Sequence, residues 1–205
     1  KSIELSMQVI AQNPKLMDLF TAHINSKGTY VASHSSSLVY ICCGISRRLD
    51  WVSTYSFSKL SMVAFMHDLS LLPQQEENVY QLNEKARGNE KQSKELELYK
   101  THPELSAKLA SDFSSLPPDV DKIISQHHEK PDGTGFPFGL TEKRIHPLAA
   151  LFIVAEDLLL SLEKSENISE DILKFVAEKK DLYSSGHFRK ILNVIGASVR
   201  KPDGV

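Results

Sequence analysis

Apolar residues fall at helical spacing through most of this chain. Leu16, Leu19, Phe20 and Ile24 mark one stripe, and Leu38, Ile41, Cys42, Ile45 and Leu49 mark a second. Lys27-Gly28 between them is expected to end the first helix. Leu60, Val63, Ala64, His67 and Leu71 form a third stripe, expected to run until Pro73. Residues 74–94 are polar and charged, which reads as a surface loop with about one turn of helix. Thr101 and Glu104 have capping-box spacing with Pro103 in the first turn, so a helix is expected to start there.

Pro117-Pro118 breaks the pattern, and Val120, Ile123, Ile124 and His127 resume it. The stretch from Pro131 to Gly139 is rich in proline and glycine and reads as a loop. From Pro147 to Leu162 the sequence is apolar nearly all round, which predicts a central, buried helix. Ile172, Leu173 and Val176 predict another, and Phe188, Ile191, Leu192, Ile195 and Val199 the last. Ile3, Leu5, Met7 and Val9 alternate like a strand, but they are isolated and Asn13-Pro14 interrupts them. The expected class is therefore all-α, a helical bundle. Residues 1–26 are expected to be an N-terminal segment leading from an upstream domain, and 27–205 the bundle itself.

Composition narrows the picture. The chain has 205 residues, 41% apolar and 24% charged, with a net charge of -2. That balance suits an ordinary globular domain and argues against binding duplex nucleic acid, which needs a basic excess. A small phosphate ligand remains compatible. The two cysteines, Cys42 and Cys43, are adjacent; on a helix they point about 100° apart and cannot pair readily. They read as small buried hydrophobes in a reducing compartment. No apolar run spans a bilayer and no secretory signal is visible, so a cytoplasmic location is expected.

Chemistry enters through the buried stripes. His34, His67 and His127 each lie on one, Asp68 follows His67, and Asp157 sits inside the apolar helix. One such histidine is ordinarily a satisfied core residue. Several together, with acids, are costly to bury unless a cation satisfies them. His67-Asp68 and His127-His128 each place two donor groups about 100° apart on a helix, able to straddle two ions. So many donors suit two metals about 3.5–4 Å apart, which activate water and clamp phosphate oxygens.

The string His127-His128-Glu129-Lys130-Pro131-Asp132-Gly133-Thr134-Gly135-Phe136-Pro137 resembles the HHE-xx-DG-x-GYP signature of the HD-GYP branch of the HD phosphohydrolases. His67-Asp68 resembles the dyad that names the superfamily. His34, Thr101-His102-Pro103 and Val154-Ala155-Glu156-Asp157 stand in the family's order, so the resemblance covers roughly residues 30–162. It implies His34, His67, Asp68, His102, His127, His128 and Asp157 as metal ligands, with Asp68 bridging and His67 and Asp68 catalytic. It implies two divalent or mixed-valence ions, iron favoured over manganese or zinc. It also implies hydrolysis of cyclic di-GMP or a related nucleotide by a hydroxide bridging the binuclear site. Asp132, Gly133, Gly135 and Phe136 of the signature loop are expected beside the substrate. The loop over 131–139 is further expected to dock diguanylate cyclase-type proteins, which exposed Phe136 and Phe138 would support.

Several positions depart from the family pattern. The dyad is followed by Leu69-Ser70-Leu71, where the family has a lysine at the last position; losing one preorganised cation costs about 100-fold in rate. The signature tyrosine is Phe136. Tyr30 stands where some relatives carry a third-metal glutamate, Leu151-Phe152 replaces Arg-Ile, and Leu160 replaces a later aspartate. Lys122, Lys130, Lys143 and Arg144 are available substitutes, and Lys143 and Arg144 are the expected phosphate contacts. The departures support a rival reading, a module that binds nucleotide or protein without turnover. Hydrolysis of another phosphate ester by a generic HD fold is a third.

Overall fold

In the computed structural model the described residues are 14–50, 52–71, 81–82, 85–86, 93–162 and 165–199. The alternating stretch at Ile3 to Val9 lies outside them. Helix α1 spans Pro14–Ser46 and passes unbroken through Lys27-Gly28, so the expected helix end there is corrected. A lone glycine costs a helix only about 1 kcal/mol, and no proline follows to enforce a stop. The helix is likewise continuous across the division expected at 26/27. The side chains of Leu16, Leu19, Phe20 and Ile24 lie outside the described residues.

Helix α2 spans Thr54–Met66 and begins with a capping box: Ser53 Oγ accepts from the Ser56 amide, and Ser56 Oγ from the Ser53 amide, each at 3.3 Å. It ends at Met66, well before Pro73, with His67 as its C-cap. The cause is local. The Ser70 amide donates to Ser106 Oγ (3.1 Å), and the Ser70 hydroxyl donates to the His102 carbonyl (3.0 Å). These bonds draw the backbone out of the helix toward its neighbour. Within 74–94, residues 81–82 and 85–86 are helical and bury Leu82 and Ala86, so that stretch is not wholly surface loop.

Helices α3 (Lys94–Lys100) and α4 (His102–Ser111) abut at Thr101. The expected capping box at Thr101 does not form, because its hydroxyl donates instead to the Leu98 carbonyl at 2.7 Å. Pro103 does occupy the first turn of α4. Helix α5 (Val120–Ser125) buries Val120, Ile123 and Ile124. A short 3-10 turn, Glu142–Arg144, precedes α6 (Pro147–Leu162), which is buried on every face from Leu148 to Leu158. Helices α7 (Ile168–Lys179) and α8 (Gly186–Val199) follow, as their spacing predicts.

The bundle is organised around α6, which packs on α1, α2, α5, α7 and α8; α4 and α5 pack on each other. Its core includes Leu38, Val63, Ile124, Phe152, Phe188 and Ile191, and each such side chain contributes about 1.5–3 kcal/mol on burial. A smaller cluster of Leu71, Leu82, Ala86, Leu96, Tyr99 and Phe136 lies to one side. Cys42 is buried, Cys43 partly so, and both are free thiols whose pKa burial pushes up. Among the described residues there is no strand beyond a single bridge between Asp132 and Thr141. No described helix is long and apolar enough to cross a membrane.

The loop after α5 is held by a buried acid. Glu129 accepts from the Phe138 amide through Oε1 and the Leu140 amide through Oε2, both at 2.7 Å. Gly135 lies against the backbone of this residue: a Cβ there would sit 2.3 Å from the Lys130 nitrogen and 2.5 Å from the Glu129 carbonyl carbon. Backbone cannot give way as a flexible side chain can. Gly135→Ala is therefore expected to lower stability by about 1–3 kcal/mol, the usual cost of overpacking, read as a lower Tm. An unchanged Tm would show that the loop shifts without cost.

Candidate metal centre

His67 caps α2, His102 opens α4, and His127 and His128 follow α5. Each of three rings is anchored by the carbonyl three residues earlier. His67 Nδ1 lies 3.0 Å from the Ala64 carbonyl, His102 Nδ1 2.7 Å from Tyr99, and His127 Nδ1 2.6 Å from Ile124. A carbonyl only accepts, so each Nδ1 carries a proton, and in the neutral ring the Nε2 lone pair is left to face the centre. This is the outer-shell bond that fixes the tautomer of a metal-ligating histidine.

The inward nitrogens crowd one another. His102 Nε2 and His127 Nε2 are 3.1 Å apart. Two lone pairs at that distance repel unless a proton or a metal ion lies between them. His67 Nε2 is buried and makes no aligned hydrogen bond, although Asp68 Oδ2 is 3.2 Å away. The donor set thus fits metal ions by its own chemistry.

The ligand atoms divide into two groups. One comprises His102, His127 and His128, the other His34, His67 and Glu156; within each, one atom per residue lies within 4.8 Å of the others, and all six residues are buried. Asp68 faces both. Its Oδ1 is 3.3 Å from His102 Nε2 and 3.8 Å from His127 Nε2, while Oδ2 faces His67. His128 Nδ1 lies 3.9 Å from Glu156 Oε2, and its Nε2 is 3.3 Å from the Tyr99 hydroxyl.

Electrostatics follow this geometry. Burial, with the neighbouring His67, lowers the His34 pKa to about 4. Burial and the nearby His102 and His67 hold His127 well below its ordinary value. Burial would depress His67 too, but Asp68 overrides it and raises the pKa to about 9. Burial would raise Asp68, yet His67 and His102 hold its carboxyl well below the usual range. In the protein alone, a proton on His67 supplies the positive charge that the carboxylate demands.

Of the residues expected as ligands, His34, His67, Asp68, His102, His127 and His128 come together, and Asp157 does not join them. Its Oδ2 accepts from Lys179 Nζ at 2.7 Å and from the Tyr183 hydroxyl at 2.6 Å. Glu156, one residue earlier and about 100° around α6, takes the place beside His34 and His67. Helical periodicity could not choose between the two acids, because α6 is buried all round and shows no polar face.

The signature loop is compact. Asp132 Oδ1 accepts from the amide and hydroxyl of Thr134, at 2.9 and 2.7 Å, and Gly133 has φ of +81°. Phe136 is buried, with its ring centroid 4.7 Å from His128 and 6.0 Å from Tyr99, so it is no exposed docking residue; Phe138 is 51% exposed. Leu71 is buried with Tyr99 and Phe136 rather than aimed at solvent. Lys143 and Arg144 are exposed on the 3-10 turn. The cations that line the cavity of about 150 Å³ beside His127 and His128 are Lys130 and Lys179. The composition pattern of α7 gave no signal for Lys179, since it ends the helix among other charged residues.

The profile of the HD domain family matches residues 18–171. The cyclic di-GMP phosphodiesterase PA4108 of Pseudomonas aeruginosa is 24% identical over 198 residues, covering 94% of this chain and 45% of that protein. The structure of Bd1817, an HDG"Y"P protein from Bdellovibrio bacteriovorus, superposes with a TM-score of 0.64 at 21% identity, covering 97% of this chain and 62% of that one. The chain thus spans less than two thirds of either relative. The profile match over most of the chain shows the family: the chain belongs to the HD domain family, and its signature loop resembles that of the HD-GYP branch.

Proposed function

We propose that this domain is a metal-dependent phosphodiesterase acting on cyclic di-GMP or a related cyclic nucleotide. The observation that carries the reading is the Asp68 carboxylate between two groups of buried donors. His34, His67 and Glu156 would hold one ion and His102, His127 and His128 the other, with Asp68 shared. When bound, the two ions supply an activated water and neutralise phosphate charge. Imidazole and carboxylate donors suit iron, manganese or zinc, and the resemblance favours iron. The backbone carbonyls of Ala64, Tyr99 and Ile124 keep the rings aimed, and Phe152 and Phe136 pack on them and exclude bulk water. Exposed Phe138 supports the 131–139 loop as a contact for diguanylate cyclase-type partners. A cytoplasmic location goes with such a substrate.

The ligand assignment is separable from the activity. Glu156→Gln is expected to lower bound metal by about one of two equivalents, whereas Asp157→Asn keeps both, as read by elemental analysis of folded protein. The reverse pattern would return the ligand role to Asp157.

Turnover is checked by incubating protein loaded with iron, manganese or zinc with cyclic di-GMP, in both redox states. Linear dinucleotide or GMP is the expected product. Tight calorimetric binding without product would establish the rival reading, a nucleotide-binding module, which the apolar burial of Leu71 favours. Leu71→Lys separates the two further. The ammonium would enter the cluster of Leu82, Leu96, Tyr99 and Phe136. A loss of about 2 kcal/mol or more and no gain in rate are expected. A stable, faster variant would mean that the lysine alone had been missing.

A further inference from the structure

The Asp157–Lys179–Tyr183 group stands outside the two clusters of donors, yet it lines the same cavity as His127 and His128. A buried carboxylate needs partners, and a purely structural purpose would be met by any donor. Here the donor is a lysine at the end of α7, its side chain 25% exposed, at the wall of a cavity that also holds Lys130. Among the described residues one hydrogen-bond acceptor engages Lys179, the Asp157 carboxylate, while an ammonium has three donors. Asp157 also takes the Tyr183 hydroxyl on the same oxygen, so it fixes both groups. The ammonium lies 5.9 Å from the ring centroids of Phe175 and Tyr183, which restricts it further. A fixed, partly exposed cation beside a metal centre is what an incoming phosphate requires.

We propose that Lys179, positioned by Asp157 and Tyr183, is a phosphate-binding residue of the substrate cavity, with Lys130 as the second cation of that cavity. This supplies a positive charge that Leu71 cannot. The inference rests on the phosphodiesterase reading for the identity of the substrate, but the phosphate subsite is testable without turnover.

The probe is inorganic phosphate, titrated calorimetrically into the metal-loaded full chain. Lys179→Met is expected to weaken phosphate binding about tenfold, and Lys179→Arg to stay within about threefold of the parent. Because Lys179→Met strands the Asp157 charge, the double variant Lys179→Met with Asp157→Asn is measured beside it. If Lys179 only balances Asp157, neutralising both restores phosphate affinity, and the proposal is overturned. If the double variant keeps its fold and metal content but still binds phosphate about tenfold more weakly, the proposal stands. Parent protein that binds no phosphate also overturns it. Should the parent cleave cyclic di-GMP, the same variants are expected to raise KM with a smaller change in kcat. Parent that binds phosphate through Lys179 without cleaving the nucleotide would refute the activity and leave the subsite intact.

Discussion

The Asp68 carboxylate governs the interior of this bundle. Its two oxygens meet imidazole nitrogens delivered by α2, by α4 and by the turn after α5. None of those rings could be buried alone at a tolerable cost, since an unpaired polar group in a core costs several kcal/mol. Their backbone bonds hold a proton on each Nδ1, so the neutral rings turn acceptors inward, and the pair at 3.1 Å requires a proton or a metal ion between them. The helices are therefore constrained by more than apolar packing. Where α2 stops, how α3 meets α4 and how α5 turns are all set so that those nitrogens converge.

The second constraint is backbone density around Glu129. This acid belongs to the same short segment as His127 and His128, and both of its oxygens are spent on amides of the following loop. The Phe136 amide donates to the His128 carbonyl at 3.1 Å, and Gly135 packs directly on the Glu129 backbone. The loop is thus locked to the two histidines rather than hanging from the bundle. Its glycines are required by contact distance at Gly135 and by a left-handed φ at Gly133.

Much of this was legible from sequence because it depends on local spacing. Stripes on α2, α5, α7 and α8 gave helices, and imidazoles set into those stripes marked the centre. What failed depends on contacts between distant residues. The end of α2 is decided by Ser70 reaching Ser106 and His102, more than thirty positions away. The choice of Glu156 over Asp157 is decided by which neighbours each meets, and a helix buried on all faces has no amphipathic stripe from which to infer that. The exposed Lys143-Arg144 pair drew attention as adjacent charges, whereas Lys179 becomes informative only once α7 is seen to end beside α6.

Leu71 and Phe136 look in sequence like two independent losses from the family pattern. In the structure they belong to one apolar cluster, joined by Leu82, Leu96 and Tyr99. Tyr99 closes that cluster toward the metal centre: its ring centroid is 4.7 Å from that of His102, and its hydroxyl is 3.3 Å from His128 Nε2. A lysine at 71 would put a charge into this cluster, and a tyrosine at 136 would bring a further hydroxyl to a buried position beside His128. The leucine and the phenylalanine are therefore mutually consistent, each favouring an apolar wall next to the histidines. On that view the positive charge among the cavity's lining residues lies with Lys130 and Lys179, and the two departures from the family pattern are a single change in local packing.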